Sequence, residues 1–203
     1  MNSQLAIEKI SKEESLRAEM YQFLSGVLQS EPSEQLIKSY YALKGDDTPI
    51  GTAFGLLSKL SNKLSVEEIR SEYLDLFIGV GRGELLPFGS YYLTGFLHDK
   101  PLAKLRKDLH FMGIQKEENN KDPEDHIACL SQVMSGLITG AYGRIFSIAE
   151  QRSFFRKHLQ PWAEHFFTDL EGAKTAVFYS PVGTIGRLFI EIEVSAFEME
   201  ASR

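Results

Sequence analysis

The chain has 203 residues, 43% hydrophobic and 25% charged, the balance of a soluble globular protein with one domain or one domain in two lobes. Its net charge of −6 and pI near 5.4 argue against the basic face of a nucleic-acid binder. Cys129 is the only cysteine, so no internal disulfide can form, and its place near the inner face of a helix predicts a buried, inert thiol. Met1 to Glu14 is polar and lacks the apolar centre of a signal peptide. No apolar run approaches the roughly 20 residues needed to span a bilayer. A cytoplasmic protein without stable membrane insertion is expected.

Apolar residues recur at helical spacing almost throughout. Leu16, Met20, Phe23, Leu24, Val27 and Leu28 form a first stripe. Glu31-Pro32-Ser33 starts a second helix with Leu36, Ile37, Tyr40 and Tyr41 inward, and Lys44 to Pro49 is a turn-rich loop. Ala53, Leu56, Leu57 and Leu60 mark a third helix. Ser65 and Glu68 form a capping box ahead of a fourth, with Ile69, Tyr73, Leu76 and Phe77 inward. Gly79 to Pro87 contains three glycines and is a loop. Pro101 opens a helix bearing Leu102, Leu105, Leu109 and Met112, with Gly113 as its stop.

A polar run, Lys116 to Lys121, follows and reads as a hinge. Asp122-Pro123-Glu124-Asp125-His126 then reads as an exposed helix start. Asp122 can cap, Pro123 fits the first helical position, and Glu124 and Asp125 complement the helix dipole. Ile127, Leu130, Val133, Met134, Leu137 and Ile138 continue at helical spacing, with Gly140 and Gly143 as breaks. Phe154, Phe155, Leu159, Trp162 and Phe166 form an amphipathic stretch that Pro161 divides. Thr175 to Tyr179 comes nearest to a strand. Pro181 precedes a last helix with Ile185, Leu188, Phe189, Ile192, Ala196 and Phe197 inward. The predicted fold is all-α, a bundle of about ten helices: an N-terminal lobe (1–114), a hinge (115–122) and a C-terminal lobe (123–203).

Catalytic signatures are sparse. There is no phosphate loop of the G-x-x-x-x-G-K type, no dinucleotide fingerprint and no H-E-x-x-H motif. Gly79-x-Gly81-x-Gly83 ends a helix rather than following a strand, so it reads as a connector. His158 and His165 are seven apart but lack a third ligand for zinc. His126 with Glu124 and Asp125 has acid–base capacity, but no nucleophile or substrate cradle lies near in sequence. The expectation is a protein without enzymatic activity, metal or cofactor. A weak nucleotide-binding enzyme and a generic helical adaptor are the alternatives.

Three constellations occur in order: Tyr73-x-x-Leu76-Phe77-x-Gly79, Pro87-x-x-Ser90-x-Tyr92 and Asp122-Pro123-Glu124-Asp125-His126. Their order and spacing resemble the TorD/DmsD family of redox-enzyme maturation chaperones. The stripe through Trp162 and the closing helix with Gly186, Phe189, Ile190, Ile192 and Glu193 resemble that family's C-terminal half. Asp122 stands where the family more often has Glu, which keeps the charge.

The resemblance implies a cytoplasmic chaperone that binds the twin-arginine leader peptide and the apo body of a molybdopterin-dependent oxidoreductase until its cofactor is inserted. A basic and apolar peptide needs acidic groups beside an apolar groove. Glu124, Asp125 and His126 are the expected contacts, with Pro87, Ser90, Tyr91 and Tyr92 in the facing wall. Ser90 reads equally as a helix cap, and of Tyr91 and Tyr92 one faces the core and the other a groove. Tyr73, Leu76, Phe77, Gly79 and Trp162 are expected to be structural. The polar hinge also predicts a monomer exchanging slowly with a domain-swapped dimer.

Overall fold

The computed structural model describes residues 10–115 and 123–201. The hinge residues 116–122, including the expected cap Asp122, lie outside the described residues. Ten α-helices occur among the described residues: α1 (Lys12–Leu28), α2 (Glu34–Ser39), α3 (Pro49–Lys63), α4 (Val66–Tyr73), α5 (Gly89–Thr94), α6 (Lys100–Phe111), α7 (Ile127–Thr139), α8 (Ile148–His158), α9 (Ala163–Glu171) and α10 (Ser180–Ala201). No helix among them is long and apolar enough to cross a membrane.

Local chemistry sets most helix ends. Ser11, Ser33 and Thr48 each accept a backbone N–H in the first turn that follows. Ser65 with Glu68 and Ser147 with Glu150 complete capping boxes, satisfying two orphan donors apiece. Gly113 and Gly140 end α6 and α7 with positive φ. After α4 the chain makes one π-helical turn, Leu74–Ile78, closed by the Gly79 N–H on the Leu74 carbonyl. Gly79 has φ +59°, and a Cβ there would lie 2.0 Å from the Arg82 carbonyl oxygen, so only glycine fits.

Helix α1 packs on α7, while α10 packs on α3, α9 and, through Arg17 and Tyr21, on α1. Buried side chains from Ala18 to Phe197 form one apolar cluster that draws on both sides of the 116–122 segment. Its largest fully buried members include Trp162, Tyr21, Tyr179, Phe155 and Phe166. These helices bury each other's apolar stripes, the main source of stability in such folds.

Several expected stripes are rotated. On α1 the buried face is Ala18, Tyr21, Leu24, Val27 and Leu28, and Leu16 is exposed. Tyr21 turns inward because its hydroxyl donates to Glu193 at 2.8 Å. On α10, Ile192 is half-exposed and the charged Glu193 is buried instead. Arg17 supplies the countercharge: its Nε and Nη2 each donate to Glu193 at 2.7 Å, and its Nη1 reaches Gln151 at 3.0 Å. One ion pair thus joins α1, α8 and α10. Tyr41 and Leu56 are also exposed rather than inward.

Thr175 to Tyr179 is not a strand. Its amides bond to carboxylates: Val177 and Tyr179 donate to Glu72 Oε1 at 2.8 Å and Phe178 to Oε2 at 2.9 Å. Glu84 accepts from the Lys174 N–H at 2.7 Å and from Thr175. Buried backbone donors outside regular structure need such partners.

The Arg17–Glu193 pair yields a contrast within one helix turn. Glu193→Ala should cost roughly 3 kcal/mol in denaturant melts, because it strands a largely buried guanidinium. Ile192→Ala should cost under about 0.5 kcal/mol, as for exposed sites generally.

Candidate functional site

The chain before α5 meets the chain before α7 side by side. Phe88 and His126 form an isolated antiparallel bridge. The Gly89 N–H donates to the Asp125 carbonyl and the Ile127 N–H to the Pro87 carbonyl, both at 2.9 Å. The Asp125 carboxylate adds a third tie, accepting the Ser90 N–H on Oδ2 at 2.7 Å. Asp125 and His126 are therefore buried, at 3% and 5% exposure, and not the exposed helix start that the local pattern suggests.

Helix α7 correspondingly begins at Ile127, four residues beyond Pro123. His126 caps it through Nδ1, which accepts the Ala128 N–H at 3.1 Å. Its ring meets the Phe88 ring edge-on at 5.0 Å. Burial pushes the imidazole down to a pKa of about 4. Neutral His126, with Nδ1 as acceptor, carries its proton on Nε2.

A cleft of about 440 Å³ opens beside this junction. Leu93, Leu105, Leu130 and Trp162 supply apolar surface, and Gly89 and Asp125 also line it. Trp162 is fixed by donating Nε1–H to the His158 carbonyl at 2.7 Å. A Cβ on Gly89 would approach that indole nitrogen to 2.9 Å, so glycine is needed for close packing here. Tyr92 lies against the Trp162 and Phe166 rings, with its hydroxyl donating to Asp169 at 2.9 Å. The Tyr91 ring meets the Tyr92 ring edge-on at 6.0 Å and lies under the Arg82 guanidinium.

Charged groups edge the cleft: Lys104, Lys107, Asp108, Lys157 and His158. Asp108 bonds His158 Nε2 at 2.9 Å and Lys157 Nζ at 3.3 Å. Burial lowers the His158 pKa, partly offset by Asp108. Burial opposes ionisation of Asp108, but its bonds to His158 and Lys157 outweigh that and hold its pKa below the usual range. Glu124 stands at the edge of the site, paired with Arg106 at 2.8 Å. Leu93, Phe96 and Leu97 form exposed apolar surface on α5 and the turn after it.

Two buried polar atoms at the junction have no hydrogen-bond partner among the described residues: Asp125 Oδ1 and Ser90 Oγ. A buried acceptor left unsatisfied costs about 1–3 kcal/mol, so such atoms are rare away from functional sites.

The fold thus gathers Pro87, Ser90, Tyr92, Asp125, His126 and Trp162, with Glu124 and Tyr91 at the margins. Tyr73, Leu76 and Phe77 lie in the core, where Tyr73 and Phe77 pack on Tyr179. Sequence reasoning missed Lys104, Lys107, Asp108 and the Leu93–Leu97 surface. Lys104, Lys107 and Asp108 share α6 with the buried Leu105, so the face adjoining its apolar stripe was the available signal.

The nitrate reductase delta subunit family model matches residues 43–168, more than half of the chain and all of this site. The chain belongs to that family, which includes the TorD chaperones. It is 27% identical over 195 residues to the chaperone protein TorD of Vibrio cholerae serotype O1 strain O395, covering 86% of this chain and 89% of that one. It is 24% identical over 198 residues to TorD of Vibrio atlanticus, covering 87% and 92%. A solved structure assigned as a redox enzyme maturation protein, from Archaeoglobus fulgidus, shares the fold with a TM-score of 0.58 at 20% identity, covering 94% of this chain and 99% of that one. The protein is a TorD-family chaperone of redox enzyme maturation, not an enzyme.

The buried cap gives a pH dependence. The His126 pKa is lowered on folding, so the unfolded chain binds the extra proton between about pH 6.5 and pH 4. The stability that neutral His126 contributes is full above pH 6.5 and is lost as pH falls to 4, by roughly 3 kcal/mol. His126→Asn, which can still cap, should flatten that slope in denaturant melts across this range.

Proposed function

We propose that this chaperone works in the cytoplasm and binds the twin-arginine leader peptide and apo body of a molybdopterin-dependent oxidoreductase, assisting cofactor insertion and delaying export until folding is complete. The observation that carries this reading is Asp125. It lines a cleft with both apolar and charged walls while one of its carboxylate oxygens is buried without a donor among the described residues. A guanidinium or peptide N–H from a bound segment would satisfy it, and charge-assisted bonds of this kind are the strong ones. The exposed Leu93, Phe96 and Leu97 suit the apolar stretch that follows the arginines in such leaders. A polar end beside an apolar shelf matches a ligand with the same order of groups.

Titration with leader peptides of candidate reductases should give saturable binding, weakened when both arginines become alanine, with an electrostatic part of the arginine peptide's affinity that fades as salt rises. Leu93→Glu should reduce affinity about tenfold or more while changing stability little, since Leu93 is already 42% exposed. Failure of every molybdoenzyme leader to bind would sink this reading.

A further inference from the structure

Glu124 already holds an arginine. Arg106, on the outer side of α6, donates Nε–H to Glu124 Oε2 at 2.9 Å, and its Nη2 lies 2.8 Å from the same oxygen. Asp125 adds to the attraction on this guanidinium. The two carboxylates expected to meet a basic peptide therefore already face one arginine from the chain itself. The neighbours Leu105, Lys107 and Asp108 line the cleft, as does Asp125 next to Glu124, so the Arg106–Glu124 pair stands beside the cleft rather than in its lining.

The exposures of the two partners are unequal. The Glu124 side chain is 16% exposed and the Arg106 side chain 55%. Glu124 is thus the fixed inner member, built into the turn before α7. Arg106 is the outer member on a long flexible stem, able to swing into water without disturbing the core. Exposed pairs of this kind contribute only about 0.2–1 kcal/mol, so an incoming guanidinium can displace it. An ammonium is a poorer competitor, because it lacks the planar fork of donors and is more strongly hydrated.

We infer that Arg106 is a specificity-determining residue that occupies the docking place of a client arginine on Glu124, so that a partner guanidinium binds by displacing it. The inference rests on the leader-binding reading and names which carboxylate meets the arginine and what resists it. Arg106 weakens binding of every ligand that needs Glu124, and ligands without arginine fail to overcome it.

The test is leader-peptide titration, by fluorescence anisotropy, of the full chain and of Arg106→Gln, Glu124→Gln and Lys100→Gln. Lys100 lies outside the cleft, and its substitution changes the net charge as Arg106→Gln does. Arg106→Gln should bind the twin-arginine peptide about two- to five-fold more tightly than wild type. Lys100→Gln should bind as wild type does, and Arg106→Gln combined with Glu124→Gln should lose the gain. A peptide with lysines for both arginines should gain less from Arg106→Gln than the arginine peptide does. Equal or weaker binding by Arg106→Gln overturns the inference while leader binding to wild type stands. An equal gain in Lys100→Gln, or for the lysine peptide, also overturns it, by making the effect one of overall charge. If no leader binds wild type or any variant, the leader reading falls and the inference falls with it.

Discussion

The tie between residues 87–90 and 125–127 governs the site. Helix α5 has six residues, well short of the length at which a helix persists alone in water. It stands because Asp125 receives the Ser90 N–H and the two backbone bonds of the bridge clamp its start. That clamp sets Gly89 against the Trp162 indole and Tyr92 against Trp162 and Phe166. The cleft wall on the α5 side therefore rests on contacts between segments 35 residues apart, not on intrinsic helix propensity.

Buried carboxylates elsewhere in the chain show what a purely structural one looks like. Glu72 uses both oxygens on three successive amides, and Glu193 uses both on Arg17 and Tyr21. Asp125 uses one side-chain oxygen and leaves the other buried and unpaired. Tyr179 also has an orphan hydroxyl, but it sits among Tyr73, Phe77 and Phe178 in the core. A neutral hydroxyl there costs less than half a carboxylate does. The same fold that satisfies Glu72 and Glu193 fully leaves Asp125 incomplete where it lines the cleft.

Features whose cause is local were legible in the sequence. The Ser65–Glu68 box, the glycine stops after α6 and α7, and the break at Pro161 follow from chemistry within a few residues, and the structure has them all. Pro123 to His126 was misread because the partners of Asp125 and His126 are distant. A Pro-Glu-Asp run suits a helix start, but Asp125 spends its carboxylate on Ser90 and delays α7 to Ile127. The faces of α1 and α10 were misjudged by excluding polar residues from the core. Glu72 falls three residues after Ile69 and four before Leu76, and Glu193 four after Phe189 and four before Phe197. A charge in register with an apolar stripe was the signal that each carboxylate is buried. Leu93, Phe96 and Leu97 escaped notice because exposed apolar surface follows no period.

A chaperone that holds and then releases its client needs contacts whose net gain is small. Exchanging Arg106 for another guanidinium on Glu124 trades one ion pair for a similar one, close to balance in free energy. Asp108 likewise already has His158 and Lys157, so a client donor there would have to break bonds to make bonds. The Asp125 oxygen differs, because a donor that gains access to this buried atom removes an existing penalty and breaks no hydrogen bond of that oxygen. Affinity should then come from that one bond and from apolar area on Leu93, Phe96 and Leu97, while the exchanged ion pairs contribute selectivity. On the proposed reading, this division would favour release and still penalise a segment that lacks the right donor.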